Sequence, residues 1–314
     1  MLKFARYTCY SLLALIAITF VLAWTGGAIN WNQEPPYKLV QSWGEKGSEP
    51  GQFNDPTGIA VSDSEVFVSD ARNSRIQVFD KQGKFKRAFG QKQLGRPMNL
   101  HIAKGKLYVP DYFKDAVQVF TLAGDFIAAV KAQDGFNSPG GVAVRADGSL
   151  LVADTYASRI VHVTAGGRVL RIWGQNGETH FSYPTDVITS PEGGFYVADG
   201  YNDRVQKFDA SGALQYKWGG PFGLNIFGPF KGWFTTVTSL AMAPDGSLFT
   251  ADFYNDRIQK FTPDGRFITA FGTPSQGPGH TEIAVAVDSS GNIYSASFAD
   301  NRIEKWFPQA VRYS

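Results

Sequence analysis

The sequence predicts an all-β, six-bladed β-propeller, and three observations carry that expectation. First, one phrase returns six times: a small or apolar strand, an acidic residue, a short polar loop, and a basic residue opening a second strand. Its acidic anchors fall at Asp70, Asp111, Asp154, Asp199 and Asp252, with Ser297 in the sixth copy, so the repeat length runs from 41 to 53 residues. A repeat of that length with several strands per unit is the signature of a propeller. Second, 34 glycines and 16 prolines supply turns, while 25 Phe, 13 Tyr and 7 Trp supply broad apolar faces for packed sheets. Third, the strands can be counted, and the count leaves one strand at the amino terminus and one gap at the carboxyl terminus.

Taken in order, residues 1–24 are different material from the rest. No formal charge occurs from Tyr7 to Gln33, and the apolar centre from Ser11 to Trp24 follows Lys3 and Arg6. This pattern predicts a single-pass signal anchor, with a cleavable export signal ending near Gly26 or Ala28 as the alternative. The amino-terminal positive charge places the chain's start in the cytoplasm and the remainder outside it, in the periplasm if the cell is Gram-negative. The alternative product is a secreted protein. Residues 25–36, with Gly26, Gly27, Pro35 and Pro36, form a linker, and residues 37–314 form the propeller. Cys9 is the single cysteine, so no disulfide forms within the chain.

Each repeat is expected to hold four strands, A to D. In the third, these are Gly140 to Val144, Leu150 to Asp154, Arg159 to Val163, and Arg168 to Gly174. Asp147-Gly148, Gly193-Gly194, Asp245-Gly246 and Gly291-Asn292 make tight A–B hairpins. Strand D ends in an aromatic residue and glycine at Trp43, Phe89, Trp173, Trp218 and Phe271. The first D strand, at 38–44, has no A, B or C before it, whereas the last A, B, C set ends at Arg302 to Phe307 with no D after it. The amino-terminal strand must therefore complete the last blade, which removes open sheet edges.

The segment Asp55 to Val61 (DPTGIAV), the D-x-x-x-x-R loop and the terminal Trp-Gly, in several tandem copies over about residues 38 to 307, resemble the NHL repeat family of six-bladed propellers. Repeats two and six depart from its pattern, with Ala116 in place of arginine and Ser297 in place of aspartate, and are expected to form looser blades.

The pairs Asp70–Arg75, Asp154–Arg159, Asp199–Arg204 and Asp252–Arg257 could be mistaken for chemistry. A charge pair present in nearly every blade is better explained as a loop staple of charge-assisted hydrogen bonds, because a site breaks symmetry. The resemblance also implies where enzymatic relatives would carry function. Amidating lyases of the family place zinc-binding histidines just after the proline opening strand A. Here those slots hold Thr57, Met98, Gly140, Thr185, Thr238 and Ile283. His101, His162, His180 and His280 form no paired metal-ligand spacing. Gluconolactonase-like propellers place acidic and amide ligands around the channel, and the nearest analogues are Asn99, Asp186 and Glu282, oxygen side chains that would suit calcium. The plainer expectation is no cofactor, with these groups beside channel water. No G-x-S-x-G elbow is present.

Repeat five breaks the symmetry with GGPFGLNIFGPFKGWFTTV after Trp218, carrying Phe222, Phe227, Phe230 and Trp233. Such a loop is a contact surface if exposed and a lid if folded over the channel mouth. Strand direction puts it on the same face as Tyr112, Tyr156, Tyr201 and Tyr254, and puts the linker on the opposite face. Lys81, Lys84, Lys86, Arg87, Lys92 and Arg96 form a basic stretch that is either a solvated rim or a contact for anionic headgroups. A net charge of +2 gives no general pull toward nucleic acid. The expected function is a membrane-tethered extracytoplasmic scaffold or sensor subunit binding a protein or peptide. The alternative is a divalent-metal-dependent lactonase, hydrolase or lyase acting in the channel.

Overall fold

A computed structural model describes residues 34–309, apart from 175–178 and 276–278. The predicted anchor (1–24) and nearly all of the linker lie outside the described residues. Among the described residues, no helix is long and apolar enough to cross a membrane.

Strand β1 (Lys38–Trp43) comes first. Blade one then holds β2 (Pro56–Val61), β3 (Glu65–Asp70), β4 (Arg75–Asp80) and β5 (Phe85–Phe89). Blade two holds β6 (His101–Ala103), β7 (Lys106–Asp111), β8 (Ala116–Thr121) and β9 (Phe126–Val130). Blade three has β10 (Pro139–Val144), β11 (Leu150–Asp154), β12 (Arg159–Val163) and β13 (Val169–Trp173). Blade four has β14 (Pro184–Thr189), β15 (Phe195–Asp199), β16 (Arg204–Phe208) and β17 (Leu214–Trp218). Blade five has β18 (Val237–Met242), β19 (Leu248–Asp252), β20 (Arg257–Phe261) and β21 (Phe267–Phe271). Blade six has β22 (Glu282–Val287), β23 (Ile293–Ser297) and β24 (Arg302–Phe307). Each blade is a four-stranded antiparallel sheet, and blade six takes β1 as its outer strand, in the order β22-β23-β24-β1. The register runs from Lys38↔Phe307 to Trp43↔Ile303, so the amino-terminal strand closes the ring as the strand count requires.

Six apolar clusters hold the ring, one at each blade interface. The aromatic residue ending strand D belongs to this packing. Trp173 lies under the C–D turn of the next blade, where its indole N–H donates to the Gly212 carbonyl at 2.9 Å. Gly212 has φ +79°, and a Cβ there would stand 2.5 Å from the Trp173 ring, so only glycine fits.

A second ring of bonds runs through the B–C loops. The last residue of each loop is left-handed: Ser74, Asp115, Ser158, Asp203, Asp256 and Asn301, with φ from 48° to 52°. Ser, Asp and Asn tolerate that region better than bulkier residues do. Each side chain also reaches the next blade. Asp115, Asp203 and Asp256 accept from the backbone N–H groups of Ser138, Thr236 and Thr281. Asn301 accepts from Asp55 N–H, across the closure. Blade two is the short one, since its inner strand β6 has three residues and Pro97 meets Asp111 only through an isolated bridge.

Candidate functional site

The repeated acidic residue ends strand B with no exposed surface at Asp70, Asp111, Asp154, Asp199 and Asp252. In blades one, three, four and five one carboxylate oxygen takes the arginine five residues on, at 2.7, 2.6, 2.7 and 2.8 Å. The other oxygen takes a backbone N–H of the incoming D–A loop, from Asn54, Asn137, Ser182 and Thr235. The arginine then binds carbonyls of the same loop, as Arg204 does at His180. The pair therefore fastens a loop. Burial pushes the Asp252 carboxyl up to about 6 even with Arg257 against it, as expected for a costly buried ion pair that fixes geometry. In blade two, where Ala116 replaces arginine, Asp111 accepts from Gly95 and Arg96 N–H groups instead.

Of the six positions just after the start of strand A, the three threonines stitch blades. The hydroxyls of Thr57, Thr185 and Thr238 donate to the Pro97, Val237 and Ile283 carbonyls of the following blades, at 2.8, 2.9 and 2.7 Å. One residue further on, Asn99 donates its amide N–H to the Thr185 and Thr238 carbonyls at 3.3 and 2.9 Å, which spans blades two, four and five. Asp186 accepts from Val187 N–H, Leu240 N–H and the Ser239 hydroxyl. Together Asn99 and Asp186 bridge the blades around the upper channel. Burial pushes Asp186 up to about 7.

Glu282 stands elsewhere, on the blade-six edge beside Ser297, its register partner. Burial, and then the Glu304 carboxylate against it, raise its carboxyl well above the ordinary range. Asn99 and Asp186 thus bridge blades near one another, while Glu282 belongs to a buried carboxyl pair. Among the described residues, no three His, Cys, Asp or Glu side chains converge as a metal-binding group.

On the upper face, the B–C loop aromatics form a chain of rings. Tyr112 meets Phe113 and Tyr156, both at 5.5 Å, Tyr156 meets Tyr183 at 5.1 Å, and Tyr183 meets Tyr201 at 4.8 Å. Phe113, Tyr156 and Tyr201 remain 66, 50 and 55% exposed. Burial, then the Tyr156 hydroxyl beside it, pushes the Tyr112 phenol up to about 12. The Arg96 guanidinium caps one end of the chain, 5.6 Å over Tyr112 and 5.9 Å over Phe113. Tyr254 is separate from this arc in its ring contacts, packing on Phe253 and on His280. Tyr183 and His280 were not singled out for this face by the repeat. Each lies in a D–A loop just before strand A, a position with no fixed residue type.

The blade-five insertion is fastened to strand C of its own blade. Arg257 binds the carbonyls of Pro229, Phe230 and Trp233, and Gln259 binds Trp233 as well. Gly228 and Phe234 pair through their backbones, and Phe234 is fully buried between blades four and five. The loop is therefore held by β20. Leu224, Ile226, Phe227 and Phe230 are exposed, Phe227 at 69%. Phe230 and Trp233 pack on each other at 4.9 Å. The Phe222 side chain lies outside what the structure describes. Half of the basic stretch is paired: Lys86 and Arg87 with Glu65, and Lys81 with Asp288.

Comparison with known proteins agrees with this architecture. The NHL repeat model matches residues 53–79 and 181–208. Protein brain tumor of Drosophila melanogaster is 31% identical over 141 residues, which is 42% of this chain and 14% of that protein. The E3 ubiquitin-protein ligase TRIM32 of Mus musculus is 30% identical over 142 residues, 39% of this chain and 21% of its own length. Peptidyl-glycine alpha-amidating monooxygenase B of Xenopus laevis is 33% identical over 146 residues, 40% of this chain and 16% of its own. The chain thus matches a fifth or less, roughly, of these relatives. Among solved structures, the WD40 propeller domain of Doa1 has a TM-score of 0.62 at 12% identity, covering 88% of this chain and 99% of that one. Streptogramin B lyase has a TM-score of 0.59 at 16% identity, covering 87% and 88%. At such identities the likeness is one of fold. Two segments of the chain thus match the NHL repeat, and the fold is a six-bladed β-propeller.

Proposed function

We propose that this propeller is a scaffold that binds a protein or peptide partner on its upper rim, and that residues 1–24 tether it outside the cytoplasm. The observation that carries the reading is the continuous arc from Phe113 to Tyr201, in which rings on three successive blades pack on one another, edge to face except for the tilted Tyr183–Tyr201 pair, while Phe113, Tyr156 and Tyr201 stay exposed. Aromatic side chains of this kind bury much area on contact at low entropic cost, as interface anchors do. The insertion patch of Leu224, Ile226, Phe227 and Phe230 adds a second apolar surface at the same rim. Similarity to TRIM32, named as a ubiquitin-protein ligase, supports a protein partner.

Site-specific photo-crosslinking in the full-length chain tests this. Probes at Tyr156, Tyr201 and Phe227 should give one discrete adduct that disappears in Tyr156→Ser/Tyr201→Ser, while a probe at Lys104 on the opposite face gives none. Identical products from every position, or none from the rim, would overturn it.

A further inference from the structure

Every blade ends at the perimeter in a strand paired on one side only, and such an edge offers free backbone N–H and C=O groups to another strand. All six outer strands carry the same bulge against their neighbour, one device that discourages such pairing. Four of them add charged side chains: Lys38 in β1, Lys86 and Arg87 in β5, Arg171 in β13 and Lys217 in β17. β21 has no charge, yet none of its residues is exposed, and Lys231 of the insertion lies 5.9 Å over its Phe267 ring.

β9 is the exception. Its sequence, Phe126-Ile127-Ala128-Ala129-Val130, has neither charge nor proline, and its first four residues are all exposed. Phe126 and Ile127 keep 45 and 43% of their surface. Asp125 and Lys131, both exposed, flank the strand with opposite charge. Asp125 accepts from the Thr121 hydroxyl at 3.0 Å and, like Lys131, makes no ion pair among the described residues. Set antiparallel against a second copy about a twofold axis at Ala128, the segment is self-complementary. Asp125 of each copy then comes to Lys131 of the other, and the large Ile127 to the small Ala129.

We propose that β9 is a dimer edge, which joins the blade-two sheets of two copies of this chain into one continuous antiparallel sheet. The same strand serves both copies, as a twofold interface requires. One strand pair buries less surface than a permanent dimer does, so the association is weak and depends on concentration. It uses none of the residues of the aromatic arc, and so does not rest on the rim reading.

Sedimentation velocity of the full chain in detergent, over a concentration series, tests this. The wild-type protein should show a monomer–dimer equilibrium. Ile127→Lys gives β9 the kind of charge that other edges carry, and should leave only monomer with an unchanged melting temperature. Asp125→Lys sets like charges against each other at both symmetry-related ends and should weaken dimerisation about tenfold, while Asp125→Lys/Lys131→Asp should restore it. In a Cys9→Ser background, Ala128→Cys should oxidise to a cross-linked dimer, and Lys217→Cys on the blade-four edge should not. A wild-type chain that stays monomeric, a dimer that survives Ile127→Lys, a double swap no better than Asp125→Lys, or equal cross-linking from both cysteines would each overturn it.

Discussion

Blades four and six place different side chains at the same three positions. In blade four, Pro184 opens strand A, Asp199 ends strand B and Gln206 lies in strand C. The Asp199 carboxylate takes Arg204, Gln206, Asn202 and the Ser182 N–H. In blade six these positions hold Glu282, Ser297 and Glu304. The carboxyl group has crossed from strand B to its partner in strand A, and the glutamine amide has become a second carboxyl. Arg302 follows the charge to Glu304 and Asp300. Neither oxygen of Glu282 has a well-formed hydrogen bond, and the incoming loop is held from blade five instead, by Asp256 at Thr281. A propeller thus needs a fastened loop at each blade, but not the same residue to fasten it. Blade four achieves this with full charge compensation, whereas blade six carries a buried carboxyl pair.

The largest expected effect comes from breaking the compensated staple. Asp199→Ala leaves Arg204 and Gln206 buried without their acceptor and should cost about 3–5 kcal/mol in urea unfolding. A loss under about 1 kcal/mol would show that the staple is not what holds the loop.

Glu282→Gln sharpens the comparison through its pH dependence. The Glu282 carboxyl is raised in the folded state above its ordinary value of 4.5. The folded chain therefore holds a proton that the unfolded chain releases, and stability falls as pH rises through 4.5 toward the folded value. Glutamine removes that burden. The variant should melt above the wild type at pH 7.5, with the gap closing by pH 4. A variant melting lower throughout that range would mean the carboxyl itself stabilises blade six.

The smallest effect belongs to the second ring. Asn301→Ala removes the bond to Asp55 N–H across the closure and should cost about 0.5–1.5 kcal/mol, raising the unfolding rate rather than altering the fold. No measurable change would assign closure to β1 and the apolar cluster beneath it alone.

Much of this architecture was legible in the residues. The D strands expected at 38–44 and 168–174 form at Lys38–Trp43 and Val169–Trp173, because alternation and the closing aromatic-glycine pair are local signals. The site was legible only in part. Tyr112 and Tyr156 do meet, yet Tyr183, which links them to Tyr201, belongs to a loop without a repeated pattern. For the insertion, nothing in its own sequence says that Phe234 would be buried between blades four and five while Phe227 stays exposed.

By itself the sequence determined the blade count, the strand boundaries and the identity of the closing strand, since each follows from periodicity within about fifty residues. Tertiary structure alone decided what Asn99, Asp186 and Glu282 do. Their partners lie on other blades or across strand pairs, up to 139 residues away for Asn99 and Thr238. Whether such a side chain bridges, pairs or faces empty space depends on how closely six separate sheets approach one axis.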